Sequence, residues 1–355
     1  MEPSKPKFTY KTVLFPLLGL AGFFIYIYFF QVDLGSIIIT LQTVNPLLFG
    51  LAVGCGLLEI FFFTFSWRVL ACSLDIKMTL KRAWLYVWYG IYVDILVPAE
   101  SVSGEVVRVY LLARDRCGSS GKVFASLFAH RLLGMALNVV VLVLGIVLLS
   151  FEGLGSSFVF NFIICVAVGI LAVIVVLMVF ALKKSWSLKV IDWGVGFVAK
   201  VSRGRWKLGF REQTLEMVSH FHESMSQYSR SMRVIGESLF HLAVSWFFSL
   251  SVPYLVFYSL GHPVSWSVVL VTSAIVLAVK SIPVGVPFEV GIPEAVMTTL
   301  FFALGIDAAL SATATILTRL ITLWFRFFIG FVAQQYLEFK PALPERSSEK
   351  TKNVL

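Results

Sequence analysis

Runs of apolar residues long enough to cross a lipid bilayer recur along this chain and limit the folds open to it. A transmembrane helix needs about 20 consecutive, mostly apolar residues, and the segment 124–150 contains one arginine, one histidine and no acidic residue. In the whole chain of 355 residues, 58% are hydrophobic and 14% are charged, whereas soluble domains carry about 25% charged residues. These values exclude a soluble enzyme, a secreted disulfide scaffold and a disordered chain. The sequence predicts an all-α, polytopic membrane protein.

Six segments have the length and composition of spanning helices. They are 12–31, 46–70, 124–150, 158–182, 234–260 and 310–335. The first follows a short basic N-terminus without the small-residue cleavage site of a signal peptide, so we expect it to be retained as a membrane helix. We treat residues 1–355 as a single transmembrane domain.

Two further apolar regions, 83–112 and 264–304, are interrupted by proline and glycine. Pro98 lies within the first, and Pro283 and Pro287 lie within the second. Proline lacks a backbone N–H and fixes φ, so neither region can be one continuous helix. Broken backbone at membrane depth is stable only where protein or a water-filled cavity covers it. Each region is therefore predicted to form a re-entrant helical hairpin.

The distribution of lysine and arginine favours this topology. With the N-terminus in the cytoplasm and both broken regions returning to the side they entered from, the basic segment 183–233 is cytoplasmic. The connections predicted at the outer surface then contain no lysine or arginine. A full crossing by 83–112 would instead place the most basic loop outside, against the positive-inside rule. We therefore expect both termini to be cytoplasmic, in a cell-membrane protein.

The basic surplus points to lipid as the partner. The net charge is +9, and the segment 183–233 mixes tryptophan with basic residues, which is typical of amphipathic helices on an anionic leaflet. Its part from about residue 211 to 230 is polar enough for a cytoplasmic helix. No nucleic-acid-binding module is present outside the apolar spans. The four cysteines form no CxxC pair, so no disulfide framework or metal site is predicted.

The two broken regions resemble each other. In each, a Val-Pro pair is followed by two glutamates, the second of them seven residues after the proline: Glu100 and Glu105 in the first region, and Glu289 and Glu294 in the second. A basic group follows the second glutamate after 25 or 26 residues, as His130 with Arg131 or as Arg319. Because the hairpins would enter from opposite sides, this match predicts an inverted repeat around a midplane site. Two unrelated proline-containing loops are the alternative.

Charged side chains at membrane depth cost about 2.5–3.5 kcal/mol each on insertion scales, so we expect them to be paired or functional. The candidates for binding a substrate are Glu105, Arg108, Arg131, Lys280, Glu294 and Arg319. The secondary candidates are Glu59, Glu100, His130, Glu289 and Arg326. Arginine presents a forked set of donors that fits phosphate oxygens, while the carboxylates would organise the arginines or bind an amine.

Structural roles for the same residues stay open. Glu105 and Arg108 are three apart on a helix and share a face, so they can form a local ion pair. Glu294 can stabilise a helix start, and His130 can be a packed polar residue instead of a proton relay. Arg319 and Arg326 are seven apart, hence on one helix face, and Arg326 can snorkel towards the interface. Glu59 is a candidate partner for any of these cations.

Enzyme motifs are not found in the sequence. There is no Walker A sequence for ATP-driven transport, and no HExxH, GxSxG or DxD-type signature. We predict no catalytic residue, no cofactor and no metal, and we do not expect an enzyme.

The order of these features resembles one family. Pro98, Gly104-Glu105 and Arg108, a helix that contains Arg131, a Pro/Gly break before Glu294, and then Arg319 are similar to the lysylphosphatidylglycerol synthase transmembrane region, also called the flippase-like domain. The resemblance covers residues from about 12 to 338. Ala99-Glu100-Ser101 and Phe288-Glu289-Val290 depart from the family's glycine-rich pattern.

The resemblance implies a lipid flippase without an ATP motor. The cargo would be an anionic or aminoacylated phospholipid, or a polyprenyl-phosphate lipid, moved between leaflets. The family's aminoacyl-transferase domain is not expected here, and neither is lysyl transfer. Two alternatives stay open: a proton-coupled secondary transporter of a small solute, and a membrane partner or enzyme in lipid or glycan modification. Homo-oligomers and a partner enzyme are open as well.

Overall fold

A computed structural model describes Gln42 and residues 44–97, 102–153, 157–182, 209–280 and 291–339 of the protein. The regular structure within these residues is helical. In chain order the helices are α1 (Pro46–Ser73), α2 (Leu80–Leu96), α3 (Val102–Arg114), α4 (Ser120–Glu152), α5 (Ser157–Leu182), α6 (Gly209–Arg230), α7 (Met232–Ser259), α8 (Trp266–Lys280), α9 (Ile292–Ala303), α10 (Ala308–Arg319), a π-helical segment (Leu320–Phe325) and α11 (Arg326–Phe339).

Five helical units are long and apolar enough to cross a membrane. They are α1, α4, α5, α7 and the continuous unit formed by α10, the π-helical segment and α11. These units correspond to five of the six predicted spans, and the sixth, at 12–31, lies outside the described residues. The prediction of an all-α polytopic membrane protein is therefore confirmed.

Helices α1 and α7 pack side by side in opposite directions. The backbone N–H of Asn45, at the start of α1, donates to the carbonyl oxygen of Ser259, at the end of α7, over 2.8 Å. Further along, Ser66 Oγ lies 2.8 Å from the carbonyl oxygen of Ser238, and Ser238 Oγ lies 3.2 Å from that of Ser66. Small hydroxyl residues let helices approach closely in a membrane and hydrogen-bond across the interface.

The loops at one end of the bundle carry basic residues, and helix α6 covers part of this end. Tyr228 Oη donates to the carbonyl oxygen of Leu70 over 2.8 Å, and Gln227 Nε2 donates to that of Ser73 over 3.0 Å. Both carbonyls belong to the last turn of α1, where the helix itself supplies no partner. We call this the basic end; its lysines and arginines are Lys77, Lys81, Arg82, Arg114, Arg116, Lys122, Arg230 and Arg233.

The first broken region starts and finishes at the basic end. Asp115, directly after α3, accepts a hydrogen bond from Tyr86 of α2, and its carboxylate lies 3.8 Å from Arg82 Nη1 near the start of α2. Arg114 Nη1 lies 4.0 Å from Glu338 Oε1 near the end of α11. Helices α2 and α3 therefore pack as a helical hairpin. Its entry into the membrane stays a prediction.

The second broken region starts and finishes at the opposite end. Ser267 Oγ, near the start of α8, lies 2.5 Å from Glu152 Oε2 at the end of α4. Phe301, near the end of α9, packs edge-on against Phe257, near the end of α7, with ring centroids 4.9 Å apart. Helices α8 and α9 also pack against each other. Residues 281–290, which join them, lie outside the described residues.

Residues 46–152 and 232–339 are built from helices in the same order. Helices α1 and α7 have 28 residues each, and α3 and α9 have 13 and 12 residues. Helix α4 has 33 residues, and its counterpart runs for 31 residues from Ala308 to Glu338. The two halves thus place a long helix, a hairpin and a second long helix in succession.

Each hairpin packs against the second long helix of the other half, and glycine permits both contacts. A Cβ on Gly330 of α11 would lie 2.7 Å from the carbonyl oxygen of Trp88 and 2.7 Å from Tyr92 Cβ in α2. A Cβ on Gly145 of α4 would lie 2.7 Å from Val271 Cγ2 in α8. Atoms this close would clash, so the two halves can approach only because these positions lack a side chain.

We expect Gly145→Ala to lower the thermal stability of the purified protein in detergent. Overpacking a close contact costs about 1–3 kcal/mol, which corresponds to a fall of several degrees in apparent Tm. Gly134→Ala in the same helix is the matched control, because nothing lies within 4 Å of its added Cβ. It should leave Tm unchanged or raise it slightly, since alanine favours helix. Equal Tm values for the two variants would show that α4 and α8 are not in close contact.

Candidate functional site

Asp94, near the end of α2, bonds to the start of α3. Its Oδ1 accepts from Ser103 Oγ over 2.7 Å and from the backbone N–H of Gly104 over 2.7 Å, so a carboxylate sits at the start of α3, where the helix dipole favours negative charge. A Cβ on Gly104 would clash with Asp94 Oδ2 and would lie 2.6 Å from the carbonyl oxygen of Gly90. Glycine at both positions therefore brings the hairpin's two backbones together.

Arg108, one turn after Gly104, points into the protein. Arg108 is only 8% exposed. Its Nε donates to the carbonyl oxygen of Gly104 over 3.3 Å. The guanidinium carbon lies 5.2 Å from the ring centroid of Trp67 in α1, which is within cation–π range. Its Nη1 is buried and has no hydrogen-bond partner among the described residues.

Helix α4 adds His130 and Arg131 to the same region. Arg131 Nη1 lies 3.3 Å from Glu105 Oε1, and both side chains are part-buried. The His130 ring meets the Phe63 ring edge-on, with centroids 4.6 Å apart, and its buried Nε2 lacks a hydrogen-bond partner in the described part of the chain. We call Asp94, Glu105, Arg108, His130 and Arg131 the Arg108 cluster.

The local ion pair between Glu105 and Arg108, one of the structural roles left open by the sequence, does not form among the described residues. Glu105 instead pairs with Arg131 on the neighbouring helix. The reason is that the guanidinium of Arg108 turns back towards Gly104 and stacks on Trp67. Glu105 and Arg108 still interact electrostatically, but at a longer distance than an ion pair.

The second half contains a corresponding glutamate–arginine pair, and it is fully packed. Arg319 Nε lies 2.5 Å from Glu294 Oε1, with side-chain exposures of 7% and 3%. Glu294 Oε2 also accepts from the backbone N–H of Gly291 over 2.7 Å. Gly291 has a φ of 103° at the start of α9, a conformation open to glycine. Glu294 therefore combines the predicted helix-start role with a buried ion pair.

A third pair links α1 to α11. Glu59 in α1 bonds to Arg326, and the ammonium group of Lys280 also interacts electrostatically with this carboxylate. Glu59 is thus a partner of the kind the sequence predicted. We call Glu59, Lys280, Glu294, Arg319 and Arg326 the Arg319 cluster.

Two expectations about Arg326 are wrong. Its guanidinium does not snorkel free of the protein, because Glu59 holds it inside the bundle. It also does not share a helix face with Arg319, because the π-helical segment between them has wider turns and changes the register. Arg319 accordingly faces Glu294 of α9, whereas Arg326 faces Glu59 of α1.

The two clusters differ in how completely their polar atoms are paired. The Glu294–Arg319 pair is buried and hydrogen-bonded on both sides. The Arg108 cluster contains two buried side-chain nitrogens without partners among the described residues, Arg108 Nη1 and His130 Nε2. An unmet buried donor costs about 1–3 kcal/mol, and more for a charged group. In the Arg319 cluster, Arg326 Nε is also buried without a hydrogen-bond partner among the described residues, although another nitrogen of the same guanidinium bonds to Glu59. The Arg108 cluster therefore has such a nitrogen on two side chains, and the Arg319 cluster on one.

Two of the predicted site residues lie outside the described residues, and some residues that contact the site were not predicted from the sequence. Glu100 and Glu289 lie in the segments that join the hairpin helices, where the structure describes nothing. Trp67 was not predicted, because a tryptophan in an apolar helix looks like core. Ser126, whose Oγ accepts from Trp67 Nε1 over 3.2 Å, has no distinctive sequence signal. Asp94, four residues before Pro98, is one of the intramembrane charges that the sequence indicates should be paired or functional.

Comparisons with known proteins match the chain to a membrane-protein family. The profile of the lysylphosphatidylglycerol synthase TM region matches residues 15–330. A UPF0104 membrane protein of Pyrococcus horikoshii is 25% identical over 289 residues, which are 79% of this chain and 84% of that relative. A UPF0104 membrane protein of Methanothermobacter thermautotrophicus is 22% identical over 322 residues, covering 89% of this chain and 92% of that relative. One of Methanocaldococcus jannaschii is 23% identical over 338 residues, covering 93% and 95%.

We expect Glu294→Leu alone to destabilise the protein strongly, because it leaves the buried charge of Arg319 without its partner. Breaking a buried pair costs about 3–5 kcal/mol. The double variant Glu294→Leu/Arg319→Met removes both charges and should recover at least half of the lost Tm. A double-mutant cycle from thermal unfolding in detergent measures the coupling. Additive losses would show that the two side chains do not form a buried pair.

Proposed function

Since the chain belongs to the family of the lysylphosphatidylglycerol synthase transmembrane region, as its sequence motifs predicted, we propose that it is a lipid translocase. It moves an anionic or aminoacylated phospholipid, or a polyprenyl-phosphate lipid, from one leaflet to the other without an ATP motor. The Arg108 cluster receives the phosphate of the headgroup.

The observation that carries this proposal is the buried, incompletely paired guanidinium of Arg108. Arginine stays charged at any physiological pH and binds phosphate through a planar fork of donors. At membrane depth such a charge is expensive, and a phosphate ligand would offset part of that cost. Arg131 would contribute a second positive charge near Arg108, and Glu105 would hold the guanidinium of Arg131 in place.

The arrangement of the two halves supports a translocation pathway. The helical hairpins start from opposite ends of the bundle, and α1 and α7 run antiparallel, as an inverted repeat with two re-entrant hairpins requires. The Glu105–Arg131 and Glu294–Arg319 pairs occupy matching places, 26 and 25 residues apart in sequence. In this proposal the two hairpins shape a midplane cavity that opens in turn to each leaflet.

The second half would act as a frame. The Arg319 cluster ties α9, α10, α11 and α1 together through buried ion pairs, so its charges are largely occupied. Lys280 lies directly before the undescribed break at 281–290 and would guide a phosphate towards the midplane. This assignment gives the second-half residues a weaker role in binding than the sequence alone predicted.

The orientation follows from the basic end. Its lysines and arginines would face the anionic cytoplasmic leaflet of the cell membrane, which places both termini in the cytoplasm. The protein would transport lipid without changing it, and any lipid- or glycan-modifying enzyme would be a separate partner.

We expect the purified protein in liposomes to increase leaflet exchange of labelled lipids, with Arg108→Ala at least tenfold slower. Losing a hydrogen bond to a charged group costs roughly 1.5–3 kcal/mol, or about tenfold or more in rate. Arg108→Lys keeps the charge and loses the fork, so its rate should lie between those of the wild type and Arg108→Ala. The panel comprises phosphatidylglycerol, an aminoacylated phosphatidylglycerol and a polyprenyl phosphate, each followed by quenching of outer-leaflet fluorophores.

The matched control is Arg233→Ala, because Arg233 is exposed at the basic end and contacts neither cluster. It should exchange lipid at the wild-type rate. If adding the protein did not increase leaflet exchange of any lipid in the panel, the proposal would be overturned. Uptake of a water-soluble solute driven by a proton gradient would favour the transporter alternative instead.

A further inference from the structure

Two buried nitrogen atoms in the Arg108 cluster lack hydrogen-bond partners within the part of the chain that the structure describes. They are Nη1 of Arg108 and Nε2 of His130, in residues that are 8% and 4% exposed. Arg108 lies against Trp67, and His130 lies against Phe63, one turn earlier on the same helix α1. Trp67 also bonds to Ser126, one turn before His130 on α4, so both side chains lie in the same part of the bundle. Buried polar groups in folded proteins are nearly always hydrogen-bonded, so two unpaired nitrogens in one part of the bundle point to a ligand that bonds to them.

The walls around these two atoms are aromatic and fixed. The indole of Trp67 covers the guanidinium of Arg108, and its Nε1 is anchored on Ser126 Oγ. Ser126 Oγ in turn donates to the carbonyl oxygen of Val123 over 2.7 Å, and Phe63 meets the His130 ring edge-on. In such surroundings a hydrogen bond to an anion is strengthened by the low local dielectric.

The charges near Arg108 limit how much negative charge the site accepts. The carboxylates of Glu105 and Asp94 both act on Arg108, as does the like charge of Arg131. Two cations and two carboxylates leave this group formally neutral before a ligand binds. A singly charged ligand therefore adds one net negative charge, whereas a doubly charged ligand adds two close to both carboxylates. At low dielectric the second charge is strongly opposed.

We propose that Arg108 and His130 form a two-donor pocket that binds the singly charged phosphate of a diester headgroup and discriminates against a doubly charged phosphate monoester. Arg108 Nη1 donates to one non-bridging oxygen. His130, in the neutral form that carries its proton on Nε2, donates to the other. The proposal rests on the proposed function, because it concerns the same cluster, and it narrows the cargo to diester lipids of either phospholipid or polyprenyl origin.

Matched ester pairs test the charge selectivity on the unaltered protein. Binding to purified protein in neutral detergent is measured at pH 8, where a phosphate monoester is mostly doubly charged because its second pKa is about 6. One pair is dioctanoyl phosphatidic acid and dioctanoyl phosphatidylmethanol; the other is farnesyl phosphate and its methyl ester. We expect the diester of each pair to bind at least tenfold more tightly. Equal or tighter monoester binding in both pairs would overturn the proposal.

The matched ester pair in which the diester binds more tightly than the monoester identifies the class of lipid that the site binds. Selectivity in the dioctanoyl pair alone would assign the site to phospholipids, and selectivity in the farnesyl pair alone would assign it to polyprenyl lipids. Either result supports the diester pocket.

Variants of His130 test the second donor. We expect His130→Ala to weaken phosphatidylmethanol binding about tenfold or more, as for a lost hydrogen bond to a charged group. His130→Gln, which retains a side-chain N–H, should stay within about threefold of wild type on the same grounds. The matched control is His220→Ala, because His220 lies on α6 between Glu216 and Glu223, outside the cluster. Unchanged binding in His130→Ala, with a wild-type elution profile, would remove His130 from the pocket.

The binding assay separates this proposal from the proposed function. Diester-selective binding without leaflet exchange would leave the pocket in place and overturn translocation. Leaflet exchange without diester selectivity would leave translocation in place and overturn the pocket.

Discussion

The cost of holding charge inside an apolar bundle governs this structure. Each buried carboxylate that the structure describes in the two clusters has a donor on another residue: Asp94 accepts from Ser103 and Gly104, Glu105 from Arg131, Glu59 from Arg326, and Glu294 from Arg319. These contacts join different helices, and the Glu59–Arg326 contact joins helices 267 residues apart in sequence, so pairing the charges also assembles the bundle. A buried pair adds little net stability over an apolar one, but removing one partner is costly. The charges therefore specify which helices must meet.

The second requirement is close backbone approach. Helices gain little from the hydrophobic effect inside a membrane, so they depend on tight packing and on hydrogen bonds between small residues. Gly90 and Gly104 bring the two arms of the first hairpin together, while Gly145 and Gly330 bring each hairpin against the other half. Ser66 and Ser238 do the same for α1 and α7. The glycines and serines set distances that let the charged side chains reach one another.

The two halves share the same order of helices but differ in how their charged residues are paired. Their glutamate–arginine pairs match in spacing, and the pair in the second half is buried and hydrogen-bonded. In the described structure the first-half cluster has unpaired buried nitrogens on two side chains, Arg108 and His130, whereas the second-half cluster has one, on Arg326. A π-helical segment separates Arg319 from Arg326 and sends them to different helices, whereas α4 is α-helical throughout. This asymmetry is the reason for assigning binding to the first half and support to the second.

Much of the architecture follows from the sequence by itself, because hydropathy, proline and charge act locally. The five spans within the described residues and the two broken regions appear where the sequence predicts them, and the spacing of Glu105 to Arg131 and of Glu294 to Arg319 marked residues that do pair. The tertiary structure decided which cation each remaining carboxylate receives. It joined Glu59 to Arg326, separated Arg108 from Glu105 and placed Trp67 over the guanidinium. No sequence pattern determines these contacts, because they depend on distances between helices far apart in the chain and on a local change of helical register.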